Sequence, residues 1–262
     1  MKIEFDTVTV AIITGASKGI GLACAQAMAA AGARCVLVAR NSSLLNEAVK
    51  SLNGPDGHHI GLTADLSDGP SAAALVEKVE SDIGPVGVLI NSAGAAQRFS
   101  ADELSPEAFA QGMDAKYFPT VHLLEPVAKR MANRGKGAIV NIIGQGGKQA
   151  SPIHISGGSA NAALMLATVG YARAYADKGV RVNGVNPGLT NTSRVNEGLE
   201  AAARESGESH EVLLQQATAS IPMQRMAEPE EVANVAVFLA SDLASYVTGA
   251  LVPMDGGGHA SI

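Results

Sequence analysis

Short apolar runs alternate with helix-length segments along nearly the whole chain, and that alternation is the tightest constraint on its fold. The runs at Val8–Thr14, Arg34–Ala39, Ile60–Leu62, Val86–Asn91, Ala138–Ile143, Arg181–Val185 and Leu251–Pro253 have the length and composition of strands buried on both faces. Helical segments lie between most of them. The first, Gly19–Ala31, is rich in alanine and meets a stop at Gly32, and the second starts near Ser42. Strand–helix alternation of this kind gives a parallel sheet with helices on both faces, wound in two directions by right-handed crossovers. The expectation is one α/β domain over residues 1–262, a doubly wound parallel sheet of about seven strands. The segment 189–221 interrupts the pattern with a polar stretch containing several Glu and Ser residues. It is expected to be a mobile helical lid near the strand ends, with an inert surface insertion as the other reading.

Composition removes several function classes. A formal charge of −6 offers no basic face for nucleic acid or an anionic membrane. No apolar run approaches the roughly 20 residues that span a bilayer. The opening MKIEFDTVTV carries acidic residues and no signal-peptide core, so the expected location is cytoplasmic. Cys24 and Cys35 have neither metal-ligand nor redox-pair spacing, and they are expected to be buried free thiols, with no metal site in the chain.

The stretch TGASKGIG, Thr14 to Gly21, sits between a strand and a helix. Glycines there allow a sharp turn and bring backbone N–H groups close to a phosphate, and the helix N-terminus adds partial positive charge. Further segments complete a resemblance. ADL at Ala64–Leu66, NSAG at Asn91–Gly94, RVNGVNPG at Arg181–Gly188 and the long run Arg225–Gly257 are similar to motifs of the short-chain dehydrogenase/reductase family, over nearly the full chain. The resemblance implies a Rossmann-type fold with a nicotinamide dinucleotide held by Gly15, Ser17, Lys18, Gly19, Ile20 and Gly21. It adds Asp65 and Leu66 on the adenine side, Asn91, Ala93 and Gly94 in the middle, and Pro187, Gly188, Leu189 and Thr192 beside the nicotinamide. The second strand ends in Ala39-Arg40, without the acid that usually holds a free ribose diol. Arginine pairs with a 2′-phosphate in a forked geometry, so NADP is expected over NAD.

The same family uses an Asn, a Ser, a Tyr and a Lys for proton transfer. Counted from the flanking motifs without gaps, these positions fall on Lys116 in MDAKYFPT, Gly144 in NIIGQGG, and Gly157 and Asn161 in HISGGSANAAL. All four are substituted. Two changes are reciprocal, with Lys116 where the Asn is usual and Asn161 where the Lys is usual, so an ammonium is expected from the facing helix. His154, three residues before Gly157, is the other candidate acid or base. Ser156 is expected to cap the helix that follows. Tyr171 and Tyr175 lie too far along that helix to replace the missing Tyr. His58, His59 and His210 read as surface residues, His122 is given no role, and His259 is placed near a neighbouring subunit.

Three functions follow. The first is an atypical NADP(H)-dependent oxidoreductase acting on a small organic carbonyl, imine or enone. The second is a lyase, isomerase or cyclase with a structural cofactor. The third is a catalytically silent NADP-binding partner subunit. The resemblance implies a homo-oligomer, tetramer or dimer, formed through the helices carrying Lys116 and Asn161.

Overall fold

The computed structural model describes residues 3–55, 57–94 and 96–258. The strands are β1 (Val10–Thr14), β2 (Arg34–Ala39), β3 (Ile60–Thr63), β4 (Val86–Asn91), β5 (Gly137–Ile142), β6 (Val180–Pro187) and β7 (Leu251–Met254). They form one parallel sheet in the order β3-β2-β1-β4-β5-β6-β7. β1 is buried along its whole length, and Ile12 and Ile13 point to opposite layers with no exposed surface. A side chain of that size contributes about 1.5–3 kcal/mol by full burial. That is why these strands appear in the sequence as unbroken apolar runs rather than alternating ones.

One face is covered by α1 (Gly19–Ala30), α2 (Ser42–Lys50) and α9 (Pro229–Ala240), where Met28, Leu45 and Val237 meet Ile13, Leu37 and Val185. The other carries α3 (Gly69–Asp82), α5 (Phe118–Arg134) and α6 (Ile155–Tyr175), whose Val76, Leu123, Val127 and Ala172 pack on Ile12, Val36 and Ile139. The short helix α4 (Pro106–Gly112) runs into α5 through a widened turn, Met113–Tyr117, in which the backbone bonds reach five residues back. Residues 189–221 contain two helices, α7 (Ser193–Ser206) and α8 (His210–Ala219), set at the end of β6.

β2 and β4 have the bounds expected from the sequence. Val8 does not join β1: the ladder with β2 begins at Val10 opposite Arg34, and Val8 is 72% exposed. Both cysteines are free and buried, and burial raises each thiol to about 12, so neither is a nucleophile near neutral pH. His59 is not a surface residue. Its Nδ1 accepts from the Cys35 N–H at 3.2 Å and its Nε2 lies 2.8 Å from the Asn53 carbonyl, which joins the start of β2 to the turn before β3. No helix among the described residues is long and apolar enough to cross a membrane, and among them no cluster of His, Cys, Asp and Glu could hold a metal ion. His259 lies outside the described residues.

Candidate functional site

The strand order reverses between β1 and β4, and their two following loops part there. Such a reversal opens a crevice at the carboxyl ends of parallel strands. Thr14 fixes its floor: its Oγ1 accepts from the backbone N–H groups of Ser92 and Ala93, both at 3.0 Å, and so ties the end of β1 to the loop after β4. Above it runs a cleft of about 1010 Å³.

The glycine loop forms one wall. Gly15 has φ +63°, and a Cβ there would stand 2.8 Å from the Ser92 carbonyl oxygen. Gly21 packs so closely on Gly15 that its Cβ would lie 2.7 Å from the Gly15 carbonyl carbon. Both positions exclude a side chain, which brings the first turn of α1 down onto the floor. That turn holds no acidic residue, so its positive end stays uncompensated. Lys18 borders the same end of the cleft, and Arg40 stands at the end of β2. Asp65 is committed to Ser67, whose backbone N–H and hydroxyl donate to it at 3.0 and 2.7 Å. These bonds first, and the charge of Arg40 after them, hold its carboxyl below the usual range.

Of the expected dinucleotide contacts, every one but Asn91 lines the cleft. Asn91 stands behind the wall, 2% exposed, with its amide donating to Asn141 at 3.0 Å; Asn141 in turn donates to Thr168 on α6. The sequence reading missed Arg98, Gln97 and Asp114, which line the cleft, and gave no role to His122. That histidine lies with Nδ1 3.0 Å from the Leu66 carbonyl and so holds the adenine-side wall. A second cavity of about 470 Å³ lies at the opposite ends of the strands, where Arg34 is spent on the carbonyls of His58 and Ile83.

At the other end of the cleft the widened turn directs Lys116 inward. Its side chain is buried, and Nζ donates to the Ile142 carbonyl at 3.0 Å, at the end of β5. Gly144 follows with φ +118°, a backbone that an L side chain rarely adopts. A Cβ on Gly144 would lie 3.3 Å from the Asn161 Nδ2. A Cβ on Gly157 would lie 2.6 Å from the His154 Nε2 and 2.8 Å from the Ala96 methyl. Other side chains thus fill the space beside two glycines: Asn161 beside Gly144, His154 beside Gly157. Both also border Gly146, where a Cβ would be 3.1 Å from the His154 Cδ2 and 3.4 Å from the Asn161 Nδ2.

Lys116 and Gly144 line the cleft itself, and His154, Gly157 and Asn161 form the layer behind Gly144. His154 is the N-cap residue of α6, so Ser156 is not the cap; it lies buried in the first turn. The buried Nδ1 of His154 and Oδ1 of Asn161 have no hydrogen-bond partner among the described residues. Burial, then the charges of Arg98 and Lys116, push the His154 pKa below its ordinary 6.5. No tyrosine among the described residues lines the cleft; Tyr171 and Tyr175 stack on each other at 5.8 Å further along α6.

An open parallel sheet with a glycine-walled crevice at its reversal point defines a dinucleotide-binding α/β protein. Comparison with known proteins gives the family: residues 15–259 match the model described as Enoyl-(Acyl carrier protein) reductase, and the chain belongs to the short-chain dehydrogenase/reductase family. It is 34% identical over 260 residues to D-threitol dehydrogenase of Mycolicibacterium smegmatis, covering 98% of this chain and 96% of that protein. It is also 34% identical to galactitol 2-dehydrogenase (L-tagatose-forming) of Cereibacter sphaeroides over 249 residues, 94% of this chain and 93% of that one. Among solved structures, L-sorbose reductase from Gluconobacter frateurii in complex with NADPH and L-sorbose superposes with a TM-score of 0.92, at 32% identity over the whole of both chains. An actinorhodin polyketide ketoreductase variant with NADPH gives 0.91, at 30% identity over 98% of this chain and all of that one.

Proposed function

We propose that the protein is an NADP(H)-dependent oxidoreductase acting on a small organic carbonyl, imine or enone, with a proton-transfer arrangement different from its family's usual one. The observation that carries this reading is the continuous cleft from Arg40, past the uncompensated N-terminus of α1, to Lys116 and Gly144. The residues present fit NADP. Glycines at 15 and 21 let the first turn of α1 pack down onto the floor of the cleft, where its N–H groups would meet a pyrophosphate, and Arg40 and Lys18 supply charge for a 2′-phosphate.

Bound NADPH would supply a hydride equivalent to the substrate carbon. The chain's part is the oxygen and its proton. Asn161, close behind the side-chain-free Gly144, offers an amide N–H for the substrate oxygen. Lys116 offers an ammonium on the same wall, and His154 holds or takes up the proton at an imidazole nitrogen. A histidine kept neutral by burial and two cations is a base near neutral pH, which serves removal of a proton from an alcohol; its protonated form at lower pH serves the reductive direction.

The test is a fluorescence titration with NADPH followed by an absorbance screen over carbonyl, imine and enone substrates and small alcohols. Stoichiometric binding with NADPH oxidation, or NADP reduction, is expected. Turnover with no absorbance change replaces this reading with a lyase, isomerase or cyclase, and binding without any turnover replaces it with a silent subunit. Lys116→Ala is expected to weaken NADPH binding or turnover; if both stay unchanged, the ammonium does not act from this position. A dimer or tetramer through α5 and α6 is part of the proposal, supported by Phe118 and Leu166, which leave apolar surface on those helices, Leu166 76% exposed. Light scattering that gives a monomer at micromolar concentration overturns that part.

A further inference from the structure

We propose that Arg98, with Lys116, recognises a carboxylate on the substrate, so that the protein acts on small oxo acids or hydroxy acids; this rests on the oxidoreductase reading above. Arg98 lies in the segment after β4, and two contacts fix that segment over the start of α6. The Ala96 methyl reaches the space beside Gly157, and the Phe99 N–H donates to the Ile153 carbonyl at 3.2 Å. Arg98 is exposed there and lines the cleft together with Lys116. After burial, its charge and that of Lys116 lower the His154 pKa, and both side chains line the cleft.

Among the described residues Arg98 forms no ion pair with an acid. Of the two acids that follow in sequence, Asp102 is exposed and Glu103 is spent on a capping box: its carboxylate accepts from the Ser100 N–H at 2.8 Å and the Ser100 hydroxyl at 2.9 Å. Asp114 also borders the cleft, on the turn that carries Lys116, and it is exposed. Lys18, Arg40 and Asp65 lie at the dinucleotide end. Arg98, Lys116 and Asp114 thus line the cleft near His154 and Asn161, whose buried Nδ1 and Oδ1 have no hydrogen-bond partner among the described residues. A guanidinium presents a planar fork that matches the two oxygens of a carboxylate. The Asn161 amide is left for the reacting oxygen.

The experiment measures ligand binding to the NADPH-saturated protein by calorimetry, with malonate as the probe, malonamide as its neutral counterpart and inorganic phosphate as the other anion. Malonate is expected to bind and malonamide not to. Arg98→Ala should weaken malonate at least about tenfold with NADPH affinity unchanged, and Arg98→Lys should restore part of the loss. Malonate binding no tighter than malonamide, or unaffected by Arg98→Ala, overturns the proposal. Phosphate bound more tightly than malonate overturns the commitment to a carboxylate. Repeating the comparison in nucleotide-free Arg40→Ala protein keeps the two readings apart. A loss of malonate binding on Arg98→Ala there supports the site even if NADPH fails to bind, and NADPH failing to bind defeats only the reading above.

Discussion

Replacing Gly157 by alanine tests directly whether His154 fills the place of a missing side chain. Glycine inside a helix is ordinarily the weaker choice, by about 1 kcal/mol relative to alanine and by less in the first turn. Gly157 is the third residue of α6 and its φ is not in the positive range, so on backbone grounds Gly157→Ala should be neutral to stabilising. The surroundings reverse the sign. The new methyl carbon would sit 2.6 Å from the His154 Nε2 and 2.8 Å from the Ala96 methyl, well inside contact distance. Overpacking of this kind costs about 1–3 kcal/mol. The net expectation is a loss of about 0.5–2.5 kcal/mol, or a melting temperature lower by several degrees at about 2–4 °C per kcal/mol for a chain of this size.

The sign should change again when the ring is removed. In a His154→Ala background the remaining neighbour is Ala96, and Gly157→Ala is then expected to cost less than about 0.5 kcal/mol or to stabilise. Urea denaturation of the wild type, the two single variants and the double variant gives the coupling energy, expected at about 1–2 kcal/mol in favour of the double variant. Additive effects would show that the His154 ring does not occupy the space beside Gly157, and the replacement of a missing side chain by His154 would be withdrawn.

Three further outcomes are expected. Arg40→Ala should raise the Kd for NADPH by about 10- to 100-fold and leave NADH nearly unchanged, since a charge-assisted bond is worth about 1.5–3 kcal/mol; equal loss for both nucleotides would place Arg40 away from the 2′-phosphate. His154 has a folded-state pKa below its ordinary 6.5, so the native state binds fewer protons than the unfolded one as pH falls past 6.5, and stability is lost there and not above. Wild type and His154→Gln, compared by urea denaturation at pH 7.5 and 5.5, should therefore differ in pH dependence, with the wild type losing more; parallel curves would argue against the buried, cation-flanked site. The rate of alcohol oxidation, if His154 is the base, should rise with pH along a limb centred below 6.5, and a limb centred above that value would assign the base to another group.

The sequence made the scaffold legible because burial on both faces writes itself into composition. β2 and β4 are continuous apolar runs with glycine, proline or polar residues at their ends, and no tertiary contact was needed to bound them. Val8 looks the same locally, but its exclusion depends on where β2 begins, which is a property of a partner strand. The glycine loop was legible for a related reason: Gly15 and Gly21 are required by backbone contacts that no other residue permits. His59 was misread as a surface residue because its partners, Asn53 and Cys35, are fixed by packing and leave no periodicity in the chain.

The reactive end marks the boundary of what residue types can say. Lys116, Gly144, Gly157 and Asn161 are visible in the sequence, and the three-residue step from His154 to Gly157 is a usual same-face helix spacing. His154, however, is the cap of α6 and not a residue of its first turn, so whether its ring folds back over Gly157 or out to solvent depends on the loop after β4. That loop supplies both the Ala96 methyl and Arg98, and nothing in its sequence predicts that it lies across α6. A glycine next to a buried, unpartnered polar side chain is the pattern that connects them. Asn161 beside Gly144 and His154 beside Gly157 repeat it twice within one site. An unpartnered buried polar atom costs about 1–3 kcal/mol, and a fold that carries two of them at the mouth of a nucleotide cleft retains them where a bound molecule can complete their hydrogen bonds.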